Sequence, residues 1–80
     1  MKFRINNVDK TNILELKVSE KYKEILKKYN YNEDDVYSYI EIDSLENMIN
    51  LEKELTLKNG FDRGVIVKEN TITIYDDYIE

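Results

Sequence analysis

The chain contains no histidine and no cysteine, so any chemistry it performs must come from carboxylates, lysines and hydroxyls. That removes the commonest general base, the thiol nucleophile, disulfides and the usual transition-metal ligands. The carboxylates fall into three groups of interest. Asp9 followed by Glu15-x-Lys17 has the acid, acid-x-lysine form of metal-dependent nucleases, a spacing that arises by chance in any chain this charged. Glu33-Asp34-Asp35 and Asp76-Asp77 offer oxygen ligands of the kind Ca²⁺ and Mg²⁺ accept. Neither run has EF-hand spacing or a glycine where such a loop must turn. No phosphate loop, dinucleotide fingerprint or serine nucleophile elbow is present. The expectation is a protein that is not an enzyme, with no catalytic residues, no cofactor and no metal.

What the charges do favour is binding. Residues 1–30 hold eight Lys/Arg against four Asp/Glu, and residues 31–80 hold four against thirteen. No basic residue lies between Lys28 and Lys53, and Tyr31, Tyr37 and Tyr39 are interleaved with the acids of that gap. Tyrosine supplies large contact area at low entropy cost, and a row of carboxylates can imitate a nucleic-acid backbone toward Arg/Lys-rich proteins. The formal net charge of −5 argues against direct nucleic-acid binding. Lys21, Lys23, Lys27 and Lys28 form a wet helix face. The basic half could also meet the acidic half of a second copy in a homodimer.

Eighty residues make a single small domain, residues 1–80. A hydrophobic content of 41% suffices for a modest core despite 36% charged residues. No apolar run approaches the ~20 residues a bilayer-spanning helix needs, and Met1-Lys2-Phe3-Arg4-Ile5 lacks a signal-peptide core. A soluble, cytoplasmic protein without membrane contact is expected.

These residues need elements to hold them. Phe3 and Ile5 alternate with Lys2 and Arg4 as a short strand, and Asn6-Asn7 and Asp9-Lys10 read as turns. Leu14, Leu16 and Val18 alternate as a second strand. Leu14, Val18, Tyr22, Ile25 and Tyr29 equally fit one helix over 12–29, and Ser19, a good N-cap, tips the balance toward strand then helix. The helix over 20–29 buries Tyr22, Ile25, Leu26 and Tyr29 and ends at Asn30 in the left-handed conformation. Val36, Ile40 and Ile42 alternate with Tyr37, Tyr39, Glu41 and Asp43 in the clearest strand. Ser44 caps a helix over 45–58 that buries Leu45, Met48, Ile49, Leu51 and Leu55, and Gly60 stops it. Residues 65–67 and 71–75 form a hairpin. The order β(β)αβαββ predicts an α+β fold, a two-layer sandwich with two helices on one face of a mixed four- to five-stranded sheet.

If Ile40, Ile42, Ile72 and Ile74 face the helices, tyrosines and carboxylates line the other face, with neighbouring acids on a strand about 6.5 Å apart. The predicted partner-binding set is Glu33, Asp34, Asp35, Tyr37, Tyr39, Glu41, Asp43, Tyr75, Asp76 and Asp77. The stretches Tyr39-Ile40-Glu41-Ile42-Asp43-Ser44-Leu45-Glu46-Asn47-Met48 and Ile72-Thr73-Ile74-Tyr75-Asp76-Asp77-Tyr78 resemble small uncharacterised accessory proteins of phages and mobile elements in low-GC bacteria. That resemblance implies a phage-type accessory or anti-defence protein, of the size and acidity of several anti-CRISPR inhibitors. With the acidic tyrosine face, the expectation is an inhibitor acting in the host cytoplasm on a basic partner such as a CRISPR effector or another nucleic-acid-handling protein. It assigns no active-site residue.

Overall fold

The computed structural model of the chain describes residues 1–76. Its elements are β1 (Lys2–Val8), β2 (Leu14–Glu15), α1 (Glu20–Leu26), a 3₁₀ turn (Lys27–Tyr29), β3 (Asn32–Glu33), β4 (Ser38–Glu41), α2 (Leu45–Asn59), β5 (Val65–Lys68) and β6 (Thr71–Tyr75). They form an α+β fold, one mixed six-stranded sheet in the order β3-β4-β1-β6-β5, with β2 added beside β1. Strand β1 pairs parallel with β6 over residues 4–8, leaving its other edge for β4 at residues 2–5 and for β2 at residues 7–8. The two helices share one face of the sheet. Beneath them Phe3, Ile5, Ile40, Ile72 and Ile74 meet Val18, Tyr22, Leu26, Leu51 and Leu55 in one core. Burying each such side chain contributes about 1.5–3 kcal/mol.

The sheet has one strand more than the four to five predicted. Strand β3 is two polar residues that become a strand only by pairing with Ser38 and Tyr39. Asn6-Asn7 is no turn. Both residues continue β1, because Asn7 is 1% exposed and its amide is fully used. Residues 12–18 resolve to the short β2 and a connection, and Leu14 and Leu16 stay exposed while Val18 is buried. Ser19 occupies the N-cap position of α1 without a side-chain bond, its N–H donating to Asn7 Oδ1 at 2.7 Å. Val36 does not join the core, since the Asp34 turn holds it 49% exposed ahead of β4. On α2, Leu51, Leu55 and Asn59 are buried, while Leu45 and Ile49 are exposed and so fall outside the buried arc predicted for them. Ser44 does cap α2, its Oγ accepting from Asn47 N at 3.1 Å. Asn30 (φ 56°) and Gly60 (φ 93°) end the helical segments in the left-handed region. No helix among the described residues is long and apolar enough to cross a membrane.

A polar chain runs through the apolar layer. Asn7 Nδ2 donates to Ile74 O (3.3 Å) and Asp76 Oδ2 (3.0 Å). Tyr22, fully buried, donates its hydroxyl to Asp76 Oδ1 at 2.6 Å and accepts from Asn59 Nδ2 at 3.1 Å. Asn59 also donates to Tyr75 O at 2.8 Å. These bonds tie the start of α1, the end of α2 and the parallel pair β1–β6 together, so the sheet's two central strands cannot slide without breaking them.

Candidate functional site

Strand alternation puts Lys2, Arg4 and Asn6 of β1, Tyr39 and Glu41 of β4, and Thr71, Thr73 and Tyr75 of β6 on the face away from the helices. Tyr37, just ahead of β4, joins them. In register, Lys2 stands across from Glu41 and Arg4 across from Tyr39. The Lys2 ammonium lies 4.2 Å from the centre of the Tyr39 ring, and the Arg4 guanidinium carbon 3.9 Å from that of Tyr37. The two rings meet edge to face, 6.2 Å apart. Each contact of this kind is worth about 0.5–1 kcal/mol at an exposed site. Together they hold both tyrosines in one arrangement.

Asp34 organises the entry to β4. Its Oδ1 accepts from Val36 N (2.8 Å) and Tyr37 N (2.7 Å), and its Oδ2 accepts from the Tyr39 hydroxyl (2.9 Å). The two backbone N–H groups, then the tyrosine hydroxyl, hold the Asp34 carboxyl down at about 2. The same bond to Asp34 raises the Tyr39 hydroxyl above its ordinary range. Asp34 is therefore ionised throughout the physiological range, beside a tyrosine that keeps its proton.

The predicted acids do not form one row. Asp34, Asp35, Tyr37, Tyr39 and Glu41 gather along β4 and its entry turn. Asp43 lies past the strand end, where Asn47 Nδ2 donates to it at 3.2 Å. Glu33 turns toward α1, bridging to Lys23 at 3.6 Å and Lys17 at 4.0 Å, and the Tyr31 hydroxyl donates to it. Tyr75 is on the open face but opposite Val8, about 13 Å along β1 from the Arg4 position. Asp76 is not on the open face: Asn7 and Tyr22 draw it to the helix side. Asp77 lies outside the described residues.

Sequence reasoning missed Lys2 and Arg4 as members of this face, which makes its centre basic and aromatic with an acidic rim. Their alternation with Phe3 and Ile5 carries that signal, but only together with the pairing of β1 to β4. With Glu69, Asn70 and Thr71, they and Tyr39 line a shallow polar hollow.

Part of the charge polarity of the chain is neutralised within it, at Glu33, Glu41 and Glu54. Lys28 bridges to Glu54, Lys17 and Lys23 to Glu33, and the N-terminal ammonium to Glu41 at 3.8 Å. Lys27 pairs with Glu24 on its own helix. The basic half thus meets the acidic half of the same molecule, and the lysine face of α1 is mostly engaged.

The residues that resembled a nuclease triad are used otherwise. Asp9 Oδ1 accepts from Thr11 N, Thr11 Oγ1 and Ile13 N, closing the β1–β2 turn. Lys17 is paired with Glu33, and Glu15 stands opposite Asn7 in β2. Among the described residues no group of three or more carboxylates gathers where a cation could be held. Compared with known proteins, the chain matches no family model, no curated protein and no solved structure.

Proposed function

We propose that this chain is a non-enzymatic binding protein that engages a basic, Arg/Lys-rich partner through the acidic, tyrosine-bearing rim of β4. A nucleic-acid-handling protein such as a CRISPR effector fits that chemistry, with the cytoplasm as the place of action and phage-type inhibition as the outcome. The carrying observation is the pair Tyr37 and Tyr39, held by Arg4, Lys2 and Asp34 and flanked by the exposed carboxylates Asp34, Asp35 and Glu41. Aromatic rings already fixed in place lose little entropy on binding and make good interface anchors. Exposed carboxylates around them steer a cationic surface and set its register. Asp43 extends the acidic rim toward the start of α2.

The test is affinity capture from host-cell lysate with the tagged chain and its Glu41→Lys/Asp43→Lys variant, washed at low and high salt and read by mass spectrometry. An Arg/Lys-rich nucleic-acid-binding protein held at low salt by the parent and lost by the variant is the expected result. Equal retention by both would overturn the reading. A homo-oligomeric accessory or immunity-type interaction module is the second reading, favoured by the outer edge of β5, which no strand among the described residues covers.

A further inference from the structure

We propose that β5 is a dimerisation edge, at which two copies of this chain pair antiparallel about a two-fold axis through Ile66 to form one continuous sheet. The inference does not depend on the β4 rim. The sheet ends in β3 on one side and β5 on the other. Strand β3 is a protected edge, two polar residues long, one of them the charged Glu33. Strand β5 reads Val65-Ile66-Val67-Lys68, with its one charge at the end. Nothing in its sequence discourages a further strand.

The hydrogen-bond phase of the hairpin shows which groups are free. Tyr75 N donates to Gly64 O at 2.7 Å, and the β5–β6 register keeps Ile66 opposite Thr73 and Lys68 opposite Thr71. Antiparallel ladders alternate, so Gly64, Ile66 and Lys68 point their backbone groups at β6, and Val65 and Val67 point theirs outward. Among the described residues no backbone hydrogen bond reaches the outward N–H and C=O of Val65 or Val67.

A two-fold pairing must set outward residues against outward residues, which leaves three registers, centred on Val65, Ile66 or Val67. Centring on Val65 puts Val67 opposite Arg63 of the second copy and leaves Ile66 facing Gly64. Centring on Val67 puts Lys68 opposite Ile66. Centring on Ile66 pairs Val65 with Val67 in both directions and closes four backbone bonds. It covers the Ile66 side chain, 46% exposed in the monomer, against its own copy at a close non-hydrogen-bonded pair. Just beyond the strand, in the turns that flank β5, it brings Arg63 toward Glu69 of the second copy at both ends, so opposite charges meet there.

The helix layer agrees. Helix α2 lies over β5 and β6. Glu54 marks its α1 side by meeting Lys28 and Tyr29, while Leu51 and Leu55 face the sheet. At 100° per residue, Ile49 and Thr56 therefore look off the opposite side, and Lys53 points away from the sheet. With Glu52 and Leu57 they line an apolar groove, in which Leu57 is 83% exposed. In the dimer the Ile49 and Thr56 flanks of the two helices lie on the same side of the joined sheet, one on each side of the axis.

The experiment is sedimentation velocity of the full chain from micromolar to millimolar concentration. The expected mass is twice 9.6 kDa at high concentration. Ile66→Lys places like charges at the axis and should weaken dimerisation by about tenfold or more, with the circular dichroism spectrum unchanged. Arg63→Glu should weaken it too, and Arg63→Glu/Glu69→Arg should restore it. Glu41→Lys/Asp43→Lys should leave the mass unchanged, so failure of the β4-rim reading and failure of this one are distinguishable. A chain that stays monomeric to millimolar concentration, or a dimer indifferent to both Ile66→Lys and Arg63→Glu, would overturn the proposal.

Discussion

Replacing Asn7 with alanine is expected to remove a large share of the stability of this fold. The side chain is 1% exposed and makes three bonds: it accepts from Ser19 N and donates to Ile74 O and to the Asp76 carboxylate. A neutral buried bond contributes about 1 kcal/mol net, and one to a charged group about 2. The sum is about 4 kcal/mol; of the groups left behind, Ile74 is fully buried, and Ser19 and Asp76 are half-buried. A domain of 80 residues has a total stability of roughly 4–12 kcal/mol. Urea unfolding followed by far-ultraviolet circular dichroism should therefore show a midpoint lowered by a third or more, with an unchanged slope. Asn6 is the internal control. It is the next residue, on the opposite face, and its Oδ1 has no hydrogen-bond partner among the described residues. Because that oxygen is buried, Asn6→Ala removes a desolvation cost and should leave stability unchanged or raise it. If the two variants behaved alike, or if Asn7→Ala lost less than about 1 kcal/mol, the buried polar chain would not be what fixes the β1–β6 pairing.

Gly64→Ala should be more damaging than Gly60→Ala, although only Gly60 has a positive φ, 93°. A Cβ on Gly64 would fall 1.8 Å from Asn59 Oδ1, whereas one on Gly60 meets nothing within 4 Å. Thermal melts should rank the costs at about 3 kcal/mol for Gly64→Ala, from overpacking, and about 1 for Gly60→Ala, from backbone strain alone. Asp34, held near 2 by Tyr37 N, Val36 N and the Tyr39 hydroxyl, stabilises the fold fully above pH ~4 and loses that contribution as pH falls toward 2. Asp34→Asn should flatten the stability profile between those limits in acid titration. Burial, then the bond to Glu54, pushes the Tyr29 hydroxyl up to about 12. Its contribution is present below pH ~10 and lost as pH rises from there toward 12. Absorbance titration should show late-titrating tyrosines, Tyr31 and Tyr39 among them, and one fewer toward pH 12 in Tyr29→Phe.

Parts of this molecule are legible locally and parts are not. Strand β4, the Ser44 cap, the Gly60 stop and the β5–β6 hairpin are each written in a few adjacent residues, and all are observed. Strand β3 is not, because nothing in Asn32-Glu33 favours extension until Ser38 and Tyr39 lie beside it. Asn6-Asn7 reads as a turn because asparagine bonds its own backbone well in turns. Here the pairing of β1 with strands on both edges overrides that preference. The candidate site shows the same division. Alternation in β4 places Tyr39 and Glu41 together, yet Lys2 and Arg4 join them only through pairing across nearly 40 residues of chain. Asp76 turned out to serve the core because its partners, Asn7 and Tyr22, lie far back in the sequence. The exposed flank of α2 was read as core because periodicity marks an apolar arc, not how much of that arc the sheet is wide enough to cover.

The most direct test of the proposed binding role is the salt dependence of affinity for the captured partner, measured by calorimetry with the parent chain and with Glu41→Lys/Asp43→Lys. The acidic-rim account predicts that the parent's affinity falls steadily as salt rises and that the variant binds more weakly at low salt, with both keeping the same fold. An affinity that ignores salt and survives the charge reversal would contradict it.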